Sequence, residues 1–272
     1  MSKLDDLIED LVTANRILAT QNIVDSFGHV SIRNPNNPKR YFLSRSRAPE
    51  RVETADIMEF TLEGDPVDAK GRKPYLERFI HGAAYEARPD VMSVIHNHSP
   101  GVIPFGVTGR KMRPIMHMCG TIGHEVPIWD QRTKFGDTDL LVVNMAMGRD
   151  LVKKLGKGRT ALMRGHGCMV VGPDLRATVY TAVYLELNAK LQMQAEAMGK
   201  VKFLTKGEAD KVAASTTPTN VNRAWENWCT KAGRPYRIRS EPRTTPTDLI
   251  LRSAQSARLE GWAAGEASDR RR

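Results

Sequence analysis

The chain moves between two periodicities. Near its start, Leu4, Leu7, Ile8, Leu11, Ile17 and Leu18 follow a 3.6-residue stripe, with Ser2 placed as cap and Asp5 and Asp6 in the first turn. This predicts an amphipathic helix packed on a core. Shorter runs follow: Phe27–Ile32 reads as a turn entering a strand, Asn34–Pro38 as a loop, and Tyr41–Ser44 as a strand. Met58–Leu62 alternates and then turns at Glu63-Gly64-Asp65. A helix-forming stretch that begins near Glu77 leads into the apolar, β-branched run DVMSVIHNH, and Ser99-Pro100 reads as the next helix start. Residues 113–128 are short apolar pieces broken by glycine, which predicts sheet edges and a loop. Asp137–Leu155 and Pro173–Met198 read as helices, the second with Val179, Val183, Leu187 and Leu191 on its apolar face and Gly199 at its end. Beyond Thr205 the pattern weakens. Residues 215–222 read as a linker, Trp225 and Trp228 mark a short amphipathic helix, Arg234–Pro246 is basic, Leu249–Trp262 forms a last helix, and Asp269–Arg272 is expected to be disordered. The expectation is one domain over residues 1–204 and an extension over 205–272.

Chemistry concentrates where strand and helix meet. His96 and His98 are two residues apart on an extended run, so their imidazoles point to one face. Such a pair alone is also compatible with a surface strand. Glu77 stands at a helix start, and His166 sits between glycines in Arg164-Gly165-His166-Gly167, flanked by the apolar runs TALM and CMVV. Glu77, His96, His98 and His166 together form an N3O set for one divalent cation, and Mn, Fe, Co and Zn all accept it. His81, one turn after Glu77, either orients a ligand or packs, and Tyr85 reads as core.

These residues, in this order, resemble the class II aldolase/adducin family, over roughly residues 5 to 200. Gly28-His29-Val30-Ser31 matches that family's early Gly-Asn-x-Ser loop imperfectly. The resemblance implies an α/β protein of α/β/α type with a central, mainly antiparallel sheet flanked by helices, metal-assisted carbon chemistry and a homotetramer. In the sugar-phosphate aldolases a Thr-, Ser- and Gly-rich loop holds phosphate, and a Ser-Ser pair precedes the glutamate. Here Ser44-Arg45-Ser46-Arg47 and Tyr75-Leu76 stand instead. Guanidinium forks suit a carboxylate at least as well as a phosphate, although a solvated basic loop has the same composition.

The segments FGHVSIR, FLSRSRAPE, GRKPYLERFIHGAAY, VIHNHSPGVIPF and LMRGHGCMVVG are most similar to the decarboxylase branch of that family. That branch acts on dihydroxyphthalate, carboxylated hydroxymuconic semialdehyde or hydroxymethylpyridine dicarboxylate. The resemblance implies a metal-dependent carboxy-lyase of aromatic catabolism. Arg45, Arg47, Ser44 and Ser31 are then the expected substrate contacts. Glu77 serves as ligand, as acid, or as both, and His29 and His117 are the other proton-transfer candidates. His117 ranks above His124 because its apolar flanks suggest partial burial. A sugar-phosphate aldolase or epimerase is the alternative enzyme. A non-catalytic adducin-like module would be expected to lose the ligands, and all four are present.

Composition changes this picture little. The formal net charge of +10 is uneven, because residues 231–272 hold ten Lys or Arg against five Asp or Glu. The body therefore carries no nucleic-acid footprint, and the expected partner is a small carboxylated substrate. Cys119, Cys168 and Cys229 lack CxxC spacing and no long apolar span occurs, so the chain reads as cytoplasmic and reduced, without a membrane contact. None of the three cysteines is assigned to catalysis, and Tyr180 and Tyr184, one helical turn apart, read as packing.

Overall fold

The protein is described by a computed structural model covering residues 3–236. The amino-terminal stripe forms helix α1 (Lys3–Thr20), which buries Leu11, Ile17 and Leu18. Strands β1 (His29–Arg33), β2 (Arg40–Ser44) and β3 (Ile57–Thr61) follow, then helix α2 (Phe79–Ala87), strand β4 (Ser93–Asn97) and helix α3 (Ile103–Thr108). The next stretch contributes strand β5 (Ile128–Trp129), the single turn α4 (Arg132–Phe135), helix α5 (Met145–Leu155), and strands β6 (Thr160–Met163) and β7 (Gly167–Gly172). Helices α6 (Leu175–Met198), α7 (Lys206–Ser215) and α8 (Pro218–Lys231) complete the described residues.

One seven-stranded sheet runs in the order β3-β2-β1-β4-β7-β6-β5. All of its neighbours are antiparallel except β5 and β6. The α/β class and the mainly antiparallel sheet are thus as expected. Helices α2 and α5 pack on each other and on β4 and β6, whereas α1 and α6 contact β1, β4 and β7. The α2/α5 side holds an apolar core that includes Tyr41, Phe60, Ile80, Tyr85, Val94, Leu151 and Met169. Helix α6 also carries α8, whose Trp225 lies 5.2 Å under the Arg176 guanidinium, and α7 packs on residues 117–122.

Three boundaries differ from the sequence expectation. The helix expected over 137–155 begins only at Met145, because Asn144 in extended backbone accepts the Met147 amide and caps it. Ser99 does not cap a helix: its hydroxyl donates to Asn97 Oδ1 at 2.7 Å, and the proline in the first turn of α3 is Pro104. The linker expected at 215–222 is mostly helix, with only residues 216 and 217 between α7 and α8, since Thr217 accepts the Asn220 amide and Pro218 opens α8. The Ser2 cap, the basic run beyond Tyr236, the helix expected over Leu249–Trp262 and the terminus at Asp269–Arg272 lie outside the described residues. Among the described residues, no helix is long and apolar enough to cross a membrane.

Candidate metal centre

Strand β4 ends on the site. His96, paired with His29 of β1 and Met169 of β7, points toward the α2 side, and His98 follows two residues on. Glu77 lies in a helical turn, Leu76–Arg78, that leads into α2. His166 comes from the tight turn between β6 and β7. That turn needs its glycines: Gly165 has φ +68°, and a Cβ on Gly167 would stand 2.1 Å from the Asn97 carbonyl oxygen.

One donor atom from each of Glu77, His96, His98 and His166 falls within 4.8 Å of the others. His96 Nε2 lies 3.1 Å from His98 Nε2 and 3.4 Å from Glu77 Oε2, and His166 Nε2 lies 3.5 Å from that same oxygen. Donors bound at roughly 2.1 Å around a tetrahedral ion stand roughly 3.4 Å apart, so these separations fit one. The fixed tautomer fits as well. His96 donates from Nδ1 to the Cys168 carbonyl at 3.0 Å, which leaves Nε2 with a lone pair facing the other donors. Two nitrogens facing each other at 3.1 Å need a cation or a shared proton between them. Glu77 Oε1 accepts the Val142 amide at 3.0 Å, so both carboxylate oxygens are positioned.

Electrostatics follow from burial. Burial alone would raise the Glu77 pKa, but His96 and His166 override it and hold the carboxyl well below the usual range. Burial, reinforced by His96 and His166, lowers His98 to about 4. Burial likewise lowers His81 to about 3, helped by His96, and pushes His29 well below its ordinary value, helped by His81 and His96. The His98, His81 and His29 imidazoles are therefore neutral near pH 7, the form in which histidine offers a lone pair.

The remaining expected site residues fall in different places. His29 stands at the cluster, its ring 5.2 Å from that of His96 and 4.6 Å from that of Tyr75. Ser31 is fully buried. It is two residues deeper on the same face of β1, with its hydroxyl 2.6 Å from His81 Nδ1 and 2.7 Å from the Tyr85 hydroxyl. Arg45 and Arg47 both grip Asp56, through Nε and Nη1, each at 2.6 Å. Their guanidinium forks were expected to meet a substrate, and a protein carboxylate in the turn at 54–56 takes part of that capacity. Burial would raise Asp56, but its bonds to Arg45, the Glu53 amide and Arg47 hold it low. Ser44 is buried at the end of β2. His117 is exposed, contrary to the expectation drawn from its apolar flanks. It lines a cleft with Tyr180, Tyr184, Arg223 and Trp228, formed with α6 and α8 and away from the α2 side. Apolar neighbours report a nearby core, and they do not say which way a side chain in a 3₁₀ turn faces.

Val142 and the Cys168 carbonyl carry no sequence signal of this role, and Tyr75 stands out in the sequence only as a departure from the Ser-Ser pair. Tyr75 donates to the Arg47 carbonyl and touches His29, so it ties the arginine loop to the cluster. Its place two residues before Glu77 was the available signal. All three cysteines are free and buried, and burial raises the Cys168 thiol to about 12, consistent with packing.

A mainly antiparallel α/β fold brings three imidazoles and a carboxylate together at strand ends, in a cluster that could hold a metal ion. Residues 9–193 match the family described as Class II Aldolase and Adducin N-terminal domain, and the chain belongs to that family. It is 32% identical over 245 residues to "Decarboxylase tropJ" of Talaromyces stipitatus, covering 81% of this chain and 92% of that protein. It is 26% identical to the "3,4-dihydroxyphthalate decarboxylase" of Arthrobacter keyseri, covering 80% and 91%. Among solved structures, the L-fuculose 1-phosphate aldolase from Glaciozyma antarctica PI12 superposes with a TM-score of 0.67 at 22% identity, covering 85% of this chain and 92% of that one.

Proposed function

We propose that the protein is a divalent-metal-dependent decarboxylase. Its substrate would be a hydroxylated aromatic carboxylate or a ring-cleaved dicarboxylate in aromatic catabolism. The observation that carries this reading is the convergence of Glu77, His96, His98 and His166 on one point, in a chain whose decarboxylase relatives match over four-fifths of its length. Glu77, His96, His98 and His166 would hold one ion per subunit, of Mn, Fe, Co or Zn. When bound, such an ion supplies a Lewis acid for negative charge that develops on the substrate.

The chain's own residues supply position and charge. Glu77, ionised and held by the Val142 amide, is suited to be a ligand and not a stored proton. Arg45 meets Asp56 through Nε alone, which leaves its two terminal nitrogens to grip a substrate carboxylate. Arg47 and Tyr75 hold that loop beside His29, and His29 faces the substrate next to the ligand set. In the reaction, the bond from ring or chain carbon to carboxylate breaks, carbon dioxide leaves, and a proton replaces it on that carbon.

A class II sugar-phosphate aldolase or epimerase is the second reading, favoured by the fold likeness to a fuculose phosphate aldolase. The arginine loop in place of a hydroxyl-rich one speaks against it. The convergence of all four ligands speaks against an adducin-like module without catalysis. A homotetramer, expected from the family, is measurable by light scattering, and a cytoplasmic location by fractionation. The deciding experiment is carbon dioxide release over a panel of aromatic ortho-hydroxy carboxylates and ring-cleaved dicarboxylates, with and without EDTA. Release that stops on chelation and returns with Mn, Fe, Co or Zn supports the decarboxylase. Bound metal without release, together with cleavage of a sugar phosphate, transfers the protein to the aldolases.

A further inference from the structure

A buried chain of hydrogen bonds leads away from His29 into the core. His29 Nδ1 lies 2.6 Å from His81 Nε2, and His81 Nδ1 lies 2.6 Å from Ser31 Oγ. Ser31 Oγ in turn lies 2.7 Å from the Tyr85 hydroxyl. His29, His81, Ser31 and Tyr85 are each at most 3% exposed. Two ring nitrogens 2.6 Å apart must share one hydrogen, one donating and the other accepting, and the Ser31 hydroxyl has a single hydrogen to give. The chain can then run in only two directions, one the reverse of the other.

Its far end chooses between them. Among the described residues, the only acceptor within hydrogen-bond reach of the Tyr85 hydroxyl is Ser31 Oγ. If Ser31 donated to Tyr85, the phenol hydrogen would be buried without an acceptor, which burial penalises. Tyr85 therefore donates to Ser31, Ser31 donates to His81 Nδ1, and His81 Nε2–H donates to His29 Nδ1. The hydrogen of His29 is left on Nε2.

We propose that Ser31 and Tyr85, acting through His81, fix His29 as its Nε2–H tautomer. His29 thereby becomes a hydrogen-bond donor to a substrate oxygen beside the Glu77/His96/His98/His166 cluster, with His81 as its positioning residue. In this form His29 is neither a fifth ligand nor a base, since both would need the Nε2 lone pair. Only the identity of the substrate oxygen rests on the decarboxylase reading, because the tautomer is a property of the chain alone.

The test is nitrogen-15 NMR of the zinc-loaded, histidine-labelled protein, with the His29 signals identified by their loss in His29→Gln. The expected spectrum has hydrogen on Nε2 and none on Nδ1, and hydrogen on Nδ1 overturns the proposal whatever the activity. A kinetic comparison separates positioning from packing. His81→Phe keeps an aromatic ring against Tyr41, which stacks on His81 at 6.2 Å, but has no N–H to give. His81→Gln keeps an amide donor and loses the ring. Positioning predicts kcat/KM at least tenfold higher for the Gln variant than for the Phe variant at equal zinc content, and equal values or the reverse order overturn the role of His81. If the wild type releases no carbon dioxide from any compound, the decarboxylase reading fails and the tautomer spectrum still decides the chain. If it does release carbon dioxide but His29 carries its hydrogen on Nδ1, the chain fails and the reaction stands.

Discussion

Two regions of this molecule gather histidine with tyrosine and arginine, and the fold treats them differently. At the cluster, His96 is held by the Cys168 carbonyl, Glu77 by the Val142 amide and His29 by His81, each within 3.0 Å. In the cleft of about 630 Å³ formed with α6 and α8, His117 has no hydrogen bond among the described residues, and Arg223 is exposed beside it. The open cleft is therefore the less organised place. A site that binds a cation or stabilises charge depends on groups already fixed before the ligand arrives, so fixed donors are better evidence of chemistry than open volume.

The comparison breaks most visibly at the ligands. His96→Ala or His98→Ala is expected to lower metal affinity by more than about a hundredfold, because even partners one bond removed from a metal are worth 10–100-fold. Metal analysis of the purified variants checks this, with turnover falling to background in parallel. A fully active alanine variant at either position would remove the cluster from the mechanism.

Arg45→Ala sharpens the same side of the comparison. Loss of a charge-assisted hydrogen bond costs about 1.5–3 kcal/mol, so KM should rise about tenfold or more while metal content stays constant. Asp56 keeps its bond to Arg47, which limits structural damage. An unchanged KM would mean that the arginine loop serves only the turn at 54–56.

These two predictions also mark where the sequence was legible and where it was not. His96 and His98 could be placed together because a strand repeats every two residues, and the order of Glu77 and His166 around them matched a known family. The same period put His29 and Ser31 on one face, yet it does not tell how deep each sits, and Ser31 proved to serve Tyr85 and His81. The pairing of Arg45 and Arg47 with Asp56 depends on a turn that folds back about ten residues later, and composition alone could not reveal it. Asn144, which delays α5, is an ordinary capping signal hidden in a stretch with acceptable helix composition.

The metal-free protein offers a smaller, pH-dependent effect confined to the cluster side. The folded pKa values of His81 and His98 are depressed from 6.5 to about 3 and about 4. As pH falls below 6.5, the unfolded chain takes up protons that the folded chain refuses, so stability is full above that value and is lost toward acid. His81 alone should contribute a slope that approaches about 1.4 kcal/mol per pH unit once the pH is well below 6.5. The depressed Glu77 and Asp56 carboxyls add a loss of the same sign at lower pH. Urea midpoints of the EDTA-treated protein between pH 7 and 5 measure the slope, and a flat profile would show that these imidazoles are not neutral in the fold.

The weakest effect is expected on the other side. His117 is exposed in its 3₁₀ turn and contributes nothing to the ligand set, so His117→Ala should leave the metal content of the protein unchanged. Its stability should shift by no more than about 0.5 kcal/mol, the ordinary range for a surface substitution. Metal analysis and a urea midpoint on this one variant test both statements. Retained metal with an unchanged midpoint keeps the two histidine-bearing regions distinct. Loss of metal from a residue on the α6/α8 side would join them, and the contrast between an organised site and an open cleft would then have to be redrawn.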